Sequence, residues 1–262
     1  MHTLAAFAYL RIIKLKFEKI PLSISEHISL LKGRDLTISD EGRCAKYLKH
    51  IGYYRLSAYF LPYQTNDEHL FKPGTSFDDV LNLYIFDRKL RILFLDIIER
   101  IEISLRAQLI DSFCHAYGTH GYTDEELFKP RYDHKWLINK ISKDITRSHE
   151  SFIQHYLNTY TSPQLPPFWM VAQILSFSEL SILIENIKDD SILNDMALSL
   201  NIHKPVFLSW LKSLSQLRNI CAHHGRLWNR VFGIKPKTVK KPINLWKGLS
   251  FSSKSLRNAK NL

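Results

Sequence analysis

The longest periodic segment in this chain of 262 residues runs from Phe77 to about Tyr117. Its apolar side chains recur every three to four residues, which is the period of an α-helix. Thr75 and Asp78 form a capping signal before it, and Gly118 marks its end. About forty residues is long for one helix of a globular protein, so we expect a kink or a break within it. A fold built around this segment must be largely helical.

Most other apolar positions also follow the helical period, and we find no convincing alternating strand. Proline suits the first turn of a helix. One helix is therefore predicted from Pro167 or Phe168 to about Ile187, and another from Pro205 to about Asn229. Together these segments predict an all-α fold with a long central helix at about 77–117 and short connecting helices.

Composition narrows the class of protein. Hydrophobic residues make up 45% of the chain and charged residues 23%, which excludes a disordered chain. No segment reaches the roughly 18 uninterrupted apolar residues of a membrane-spanning helix, so no membrane partner is expected. The three cysteines are widely spaced and too few for a disulfide framework, which favours a reducing, cytoplasmic location.

Positive charge is concentrated in the last quarter of the chain. Residues 196–262 contain 13 Lys and Arg and no Asp or Glu, whereas residues 1–195 hold 23 basic and 25 acidic side chains. The net charge of +11 therefore comes entirely from residues 196–262. Such an asymmetry favours a polyanionic partner, most often nucleic acid. The alternative is a solvated basic tail that aids solubility.

One segment carries the groups that metal-free RNA cleavage requires. Residues 217–230 read Leu-Arg-Asn-Ile-Cys-Ala-His-His-Gly-Arg-Leu-Trp-Asn-Arg. An imidazole in this segment can take a proton from a ribose 2′-hydroxyl. A guanidinium can bind the phosphate through two hydrogen bonds and stabilise its developing charge. A second proton donor must then serve the leaving 5′-oxygen.

Helical geometry divides these side chains between two faces. At 100° per residue, four polar side chains fall within about 60° of one another: Asn219, His223, Arg226 and Arg230. Arg218 lies about 140° from His223 on the same helix. For both to reach one phosphate, the helix must distort near Gly225, the long arginine side chain must fold around, or a dimer must bring two copies together.

Arg218 also has a structural interpretation. It falls near the apolar face, where it can form an internal salt bridge with a carboxylate of the long helix, Glu99 or Glu102. Together with Arg106, these glutamates can form pairs three or four residues apart, or they can hold Arg218 in place.

Metal and thiol chemistry are weaker interpretations of the segment. Zinc binding by Cys221, His223 and His224 is disfavoured because C-x-H-H lacks the usual ligand spacing. Cys221 is interpreted as a small buried hydrophobic residue rather than as a nucleophile. We therefore expect no metal and no other cofactor.

The same residues carry a resemblance to known families. Arg218, Asn219 and His223 match the R-x(4–6)-H signature of HEPN-type ribonucleases, with a polar residue after the arginine. Other stretches, spread in order over about residues 18–232, resemble the Abi family of abortive-infection phage-resistance proteins, the AbiD/AbiF-like group. These stretches are Ile51–Ser57, Pro73–Val80, Phe86–Arg91, Ile98–Glu102, Pro166–Met170 and Leu217–Arg230.

The resemblance implies a HEPN-like helical bundle, a homodimer, and action on RNA in phage defence. His223 would be the catalytic imidazole, Arg218 its phosphate-binding partner and Asn219 the polar residue beside them. The sequence departs from the family pattern at Gln173 and at Ser178-Glu179, where the family leads us to expect Glu and Gly-Thr.

We therefore expect an Abi/HEPN-like helical domain at 18–232, an N-terminal tail at 1–17 and a basic C-terminal extension at 233–262. The expected function is metal-independent endoribonuclease activity in abortive infection. Four residues of the basic quarter are expected to contact RNA: His224, Arg226, Trp228 and Arg230. The alternative is a non-catalytic RNA-binding or sensor protein of a phage-defence system, in which the same basic face holds a structured RNA.

Overall fold

The structure is a computed structural model that describes residues 20–65 and 68–239. The described residues form ten α-helices, three short 3-10 turns and one two-stranded sheet, which confirms the all-α class. The chain divides into two compact units, with the boundary between Phe86 and Asp87. The predicted tail at 1–17, and positions 240–262 of the predicted extension, lie outside the described residues. The predicted domain limits at residues 18 and 232 stay predictions.

The first unit consists of three short helices, a small hairpin and the start of a long helix. The helices are α1 (Ile24–Lys32), α2 (Glu41–Ile51) and α3 (Tyr53–Ser57). Strands β1 (Gln64–Thr65) and β2 (Leu70–Phe71) pair antiparallel, with Gln64 opposite Phe71. Strands of two residues are too short to produce an alternating pattern, which is why the sequence did not reveal them. The unit's core includes Leu31, Leu56, Phe60, Phe71 and Leu81.

Helix α4 runs from Phe77 to Tyr117 without a break, so the long helix is confirmed; of the expected kink or break, the break is wrong. The segment contains no proline and no glycine, which are the usual causes of breaks. Ser76, rather than Thr75, caps the start of the helix. Its hydroxyl accepts a hydrogen bond from the N–H of Asp79 at 3.2 Å, and its own N–H donates to the Asp79 carboxylate at 2.9 Å.

The second unit packs six further helices around the part of α4 that follows Asp87. They are α5 (His134–Arg147), α6 (Ser151–Thr159), α7 (Phe168–Ile174), α8 (Phe177–Asn186), α9 (Asp190–Ser199) and α10 (Lys204–Ala222). Apolar side chains of these helices, of α4 and of the connection between α4 and α5 form one core, whose members include Leu109, Phe113, Phe128, Phe168, Leu180, Leu183 and Phe207. No helix of the described ranges combines the length and apolar content needed to cross a membrane.

The single helix predicted from Pro167 or Phe168 to about Ile187 is wrong, because the chain forms two helices there. Ser176 begins α8 with a capping box. Its hydroxyl accepts from the N–H of Glu179 at 3.3 Å, and its N–H donates to the Glu179 carboxylate at 2.8 Å. The signal was the sequence S-x-x-E, which favours a new helix start over continuation.

The last helix ends at Ala222, seven residues before the predicted end at Asn229. His224 adopts a left-handed backbone with φ of 57°. The N–H of Gly225 then donates to the Ile220 carbonyl at 2.8 Å, and the N–H of His224 donates to the Cys221 carbonyl at 3.1 Å. These two bonds form a Schellman motif, which satisfies the last carbonyls of the helix.

Candidate functional site

Helices α8 and α10 line a groove of about 600 Å³ in the second unit. Three of the predicted site residues, Asn219, His223 and Arg230, line it. Where the two helices face each other, the lining includes the small side chains of Ser178, Ser181 and Ser215. These short side chains leave space between two closely packed helices, which explains why a groove forms here.

His223 is placed at the groove by the end of α10. Its side chain is exposed to solvent, and its backbone N–H donates to the backbone carbonyl of Asn219 at 2.9 Å. His224 is also exposed. The predicted polar stripe required a helix that continues to Arg230, and that part of the prediction is wrong. Arg230 nevertheless lines the groove because the chain turns back after Gly225, whereas Arg226 and Trp228 do not line it.

Arg218 lies apart from the groove. Its Nε atom is 3.9 Å from Oε2 of Glu102 on α4, and its Nη1 atom donates to Oδ1 of Asn219 at 3.4 Å. About a third of the side chain is exposed, at 34%. The structure therefore contains the ion pair between Arg218 and the long helix that the structural interpretation predicts, and Glu102, one of the two candidate carboxylates, is the partner.

Glu102 joins two arginines, because its other oxygen accepts from Arg106 at 2.7 Å. Arg106 is buried and also donates to the carbonyls of Ala172 and, at 3.0 Å, Leu175. Arg106 thus ties α4 to the junction of α7 and α8. The third predicted supporting residue, Glu99, is exposed and makes no side-chain hydrogen bond or ion pair with the described part of the chain.

Asn219 connects Arg218 to the groove. Its amide nitrogen donates to the Ser178 hydroxyl at 2.9 Å, and that hydroxyl shares a hydrogen bond of 2.9 Å with the Ser215 hydroxyl. A continuous line of polar contacts therefore runs from Glu102 through Arg218 to the serines of the groove. Ser178 is one of the three positions at which the sequence departs from the expected family pattern, and it is the hydrogen-bond partner of Asn219.

Asp87 and Arg91 of α4 were missed by the sequence analysis as site residues. Asp87 is fully buried, and its Oδ1 accepts from the N–H groups of Leu227 at 3.1 Å and Trp228 at 2.6 Å. Arg91 donates to the Asp87 carboxylate and, at 3.4 Å, to the Gly225 carbonyl. The pair holds the turn that follows His223. The available signal was two opposite charges four residues apart on a mostly apolar helix.

The thiol of Cys221 is buried, which affects its reactivity as a nucleophile and as a metal ligand. Burial raises the pKa of the Cys221 thiol; nearby Arg91 lowers it and Asp87 raises it, and the net shift is upward. A protonated thiol is a poor nucleophile and a poor metal ligand. Across residues 20–65 and 68–239, no group of three or more His, Cys, Asp or Glu is placed to hold a metal ion.

Comparison with known proteins supplies the family. The sequence model for Abi-like proteins matches residues 46–229, which is more than half of the chain. No curated protein and no solved structure matches it. The matched range contains Arg218, Asn219 and His223, as well as the Asp87 and Arg91 pair that holds their turn. The chain belongs to the Abi-like protein family.

Proposed function

We propose that this protein is a metal-independent endoribonuclease of the HEPN type that acts in abortive-infection phage defence. Membership of the Abi-like family indicates the defence role. The observation that carries the enzymatic proposal is the exposed imidazole of His223 on a groove that Asn219 and Arg230 also line. Helix α10 and the turn after it form one side of the groove and belong to the quarter of the chain that has basic residues and no acidic ones, while Glu185 of α8 lines the other side.

In the proposed reaction, His223 takes the proton of a ribose 2′-hydroxyl. The 2′-oxygen then forms a bond to the adjacent phosphorus, and the bond from phosphorus to the 5′-oxygen breaks. A protonated group returns a proton to the leaving oxygen. The products are a 2′,3′-cyclic phosphate and a 5′-hydroxyl, and no metal ion takes part.

Arg218 would bind the phosphate with the N–H groups that its protein partners leave available. A guanidinium has five N–H donors in a planar fork. The contacts with Glu102 and Asn219 involve Nε and Nη1, and a third of the side chain is exposed. The carboxylate of Glu102 would then fix the orientation of the guanidinium, which favours a defined phosphate geometry.

We propose a homodimer as the arrangement that brings Arg218 and His223 together. Two copies of the segment 218–223 facing each other would share one cleft, and the second copy would supply the second imidazole. Helix α4 offers support, because four apolar side chains of its second-unit part are between 44% and 59% exposed: Ile92, Leu93, Ile97 and Ile103. An exposed apolar surface of this kind favours association between proteins.

One observation favours the alternative, a non-catalytic RNA-binding or sensor protein. The charge of Arg218 is partly neutralised by Glu102, and Arg218 does not line the groove that contains His223. In that case the basic surface would hold a structured RNA, and the R-x4-H segment would serve as a binding or dimer surface.

Controlled expression in bacteria tests the proposal. Wild type, His223→Ala and the control His149→Ala are expressed, and growth and total RNA integrity are followed. His149 is an exposed histidine of the second unit outside the groove. We expect growth arrest with RNA fragmentation in wild type and His149→Ala, and neither in His223→Ala. Equal fragmentation in His223→Ala would contradict the mechanism, and intact RNA in all three strains would favour the alternative.

A further inference from the structure

The side-chain amide of Asn219 has one orientation that suits both of its neighbours. A guanidinium carries only donors, so the end of the amide that faces Arg218 must be the acceptor Oδ1, which lies 3.4 Å from Nη1. The Nδ2 end is then turned away from Arg218 and donates to the hydroxyl of Ser178 at 2.9 Å. The reversed amide would set two donors against each other at Arg218.

The hydrogen bond with Ser178 holds this orientation from a second helix. The last torsion of an asparagine side chain is broad and roughly two-fold, so it does not select one orientation by itself. Asn219 lies on α10 and Ser178 lies on α8, so their bond fixes the amide between the two helices. The Ser178 hydroxyl is held in turn by the hydroxyl of the buried Ser215 at 2.9 Å.

The hydroxyl of Ser178 takes no part in the start of its own helix. The capping box of α8 is formed by Ser176 and Glu179. Among the described residues, the Ser178 hydroxyl bonds only with Asn219 and Ser215. Removing it would therefore release the Asn219 amide while the cap of α8 stays in place.

Order in the Asn219 amide bears directly on the phosphate-binding group. Glu102 lies beside Nε of Arg218 and Asn219 accepts from Nη1, while Nη2 has no hydrogen-bond partner in the described part of the chain. A guanidinium that is held at Nε and Nη1 presents its remaining donors in a defined direction. Binding of a phosphate through two hydrogen bonds requires such a direction.

From these contacts we infer that Ser178 is a positioning residue, which orients the guanidinium of Arg218 toward a phosphate of RNA by holding the amide of Asn219. The inference rests on the proposed function for the identity of the phosphate. It deepens that function, because it adds a side chain of α8 to the groups that prepare Arg218 for its substrate.

RNA binding by cleavage-deficient protein tests the inference separately from catalysis. Full-length His223→Ala protein, with and without Ser178→Ala, is titrated with a labelled single-stranded RNA. We expect Ser178→Ala to weaken binding about threefold to tenfold, because a hydrogen bond that orders a charged group is lost. Ser178→Thr keeps the hydroxyl and should restore binding. The matched control is Ser213→Ala, which alters a half-buried serine of α10 outside the groove and should leave binding unchanged.

A double variant distinguishes positioning through Asn219 from any other role of Ser178. Asn219→Ala removes the amide, so the addition of Ser178→Ala should change binding by less than about twofold. Additive effects of the two substitutions would overturn the inference. Equal binding of Ser178→Ala and Ser213→Ala would also overturn it, as would a Ser178→Thr variant that binds as weakly as Ser178→Ala.

Cleavage by the same variants with His223 intact is measured in parallel. We expect the rate at saturating RNA to fall about tenfold in Ser178→Ala and to stay unchanged in Ser213→Ala, since a displaced phosphate-binding group slows the chemical step. Cleavage by wild type without any effect of Ser178→Ala on binding or rate removes the positioning role alone. The expected binding differences without cleavage by wild type remove the ribonuclease proposal alone.

Discussion

The Nε atom of Arg218, near the end of α10, lies 3.9 Å from the carboxylate of Glu102 on α4. Within a single chain, Arg218 and His223 of the R-x4-H segment therefore have different surroundings. Arg218 points to α4, while His223 lies on the groove between α8 and α10. The ion pair is long and partly exposed, so it stabilises the fold little.

Arg218→Ala should therefore affect activity far more than stability. We expect the cleavage rate to fall at least about a hundredfold, because a preorganised cation at the phosphate is lost. The free energy of unfolding should fall by no more than about 1 kcal/mol. Arg218→Lys should not restore the rate, since an ammonium cannot reproduce the planar fork. The matched control is Arg100→Ala, which removes an exposed arginine that pairs with Asp96 on α4. A stability loss above about 3 kcal/mol without an effect on RNA would make Arg218 purely structural.

Asp87→Asn should destabilise the protein by about 3 kcal/mol, because it leaves the buried charge of Arg91 without its counterion. Asp96→Asn, which alters an exposed aspartate of the same helix, should cost less than about 1 kcal/mol. The Asp87→Asn, Arg91→Leu double variant should be less unstable than the two single effects added together. Urea unfolding of all variants measures these differences, and strict additivity would show that the two residues do not act as a pair.

Glu179 gives the stability a defined pH dependence. Burial raises the pKa of its carboxyl, but hydrogen bonds from Lys140 and Ser176 outweigh burial and hold the pKa below its ordinary value. The stabilisation is therefore present above the ordinary carboxyl pKa and is lost as the pH falls through the lowered value. Glu179→Gln should reduce stability by about 1–2 kcal/mol at neutral pH, and the difference should shrink below about pH 4.

Thermal unfolding of Glu179→Gln at several pH values checks this expectation. The exposed Glu125→Gln provides the control, and it should follow wild type at every pH. A Glu179→Gln deficit that stays constant down to the lowest pH would show that the charge of Glu179 is not what stabilises the start of α8.

Substitution of Gly225 tests whether close packing in the turn beside His223 contributes to stability and activity. A Cβ atom at this position would lie 3.2 Å from the Ile220 carbonyl oxygen and 3.3 Å from its Cγ2 atom. Gly225→Ala should therefore destabilise the protein by about 1 kcal/mol and weaken RNA cleavage, because the turn must shift. A Cβ at Gly233 would meet nothing within 4 Å, so Gly233→Ala should behave like wild type. Equal effects of the two substitutions would show that close packing at residue 225 is unimportant.

Local sequence signals predicted much of the fold. The limits of α4 follow from its apolar period and from Gly118, which comes directly after its last residue. The errors also had local causes. Ser176 with Glu179 starts a new helix inside a stretch whose apolar period continues. The Schellman motif of His224 and Gly225 ends α10 at Ala222, although the polar residues that follow keep helical spacing. In both cases a capping interaction overrides the periodic pattern.

The candidate site was harder to predict because its parts are distant in sequence. Asn219 and Ser178 meet across 41 positions, and Asp87 reaches Trp228 across 141. Such contacts depend on how α4, α8 and α10 pack, which the spacing within one helix does not determine. Glu99 and Glu102 could both be predicted as partners of Arg218 because an arginine near an apolar face needs a counterion, and that argument is independent of the exact packing. Only the packing selects Glu102.

The most direct test of the central claim uses purified wild type, His223→Ala and His149→Ala with single-stranded RNA, in buffer with and without EDTA. The ends of the products are identified by mass spectrometry. We predict cleavage by wild type and His149→Ala that EDTA does not inhibit, with 2′,3′-cyclic phosphate and 5′-hydroxyl ends, and no cleavage by His223→Ala. Products with a 2′,3′-diol end, a requirement for Mg²⁺, or full activity in His223→Ala would contradict the account.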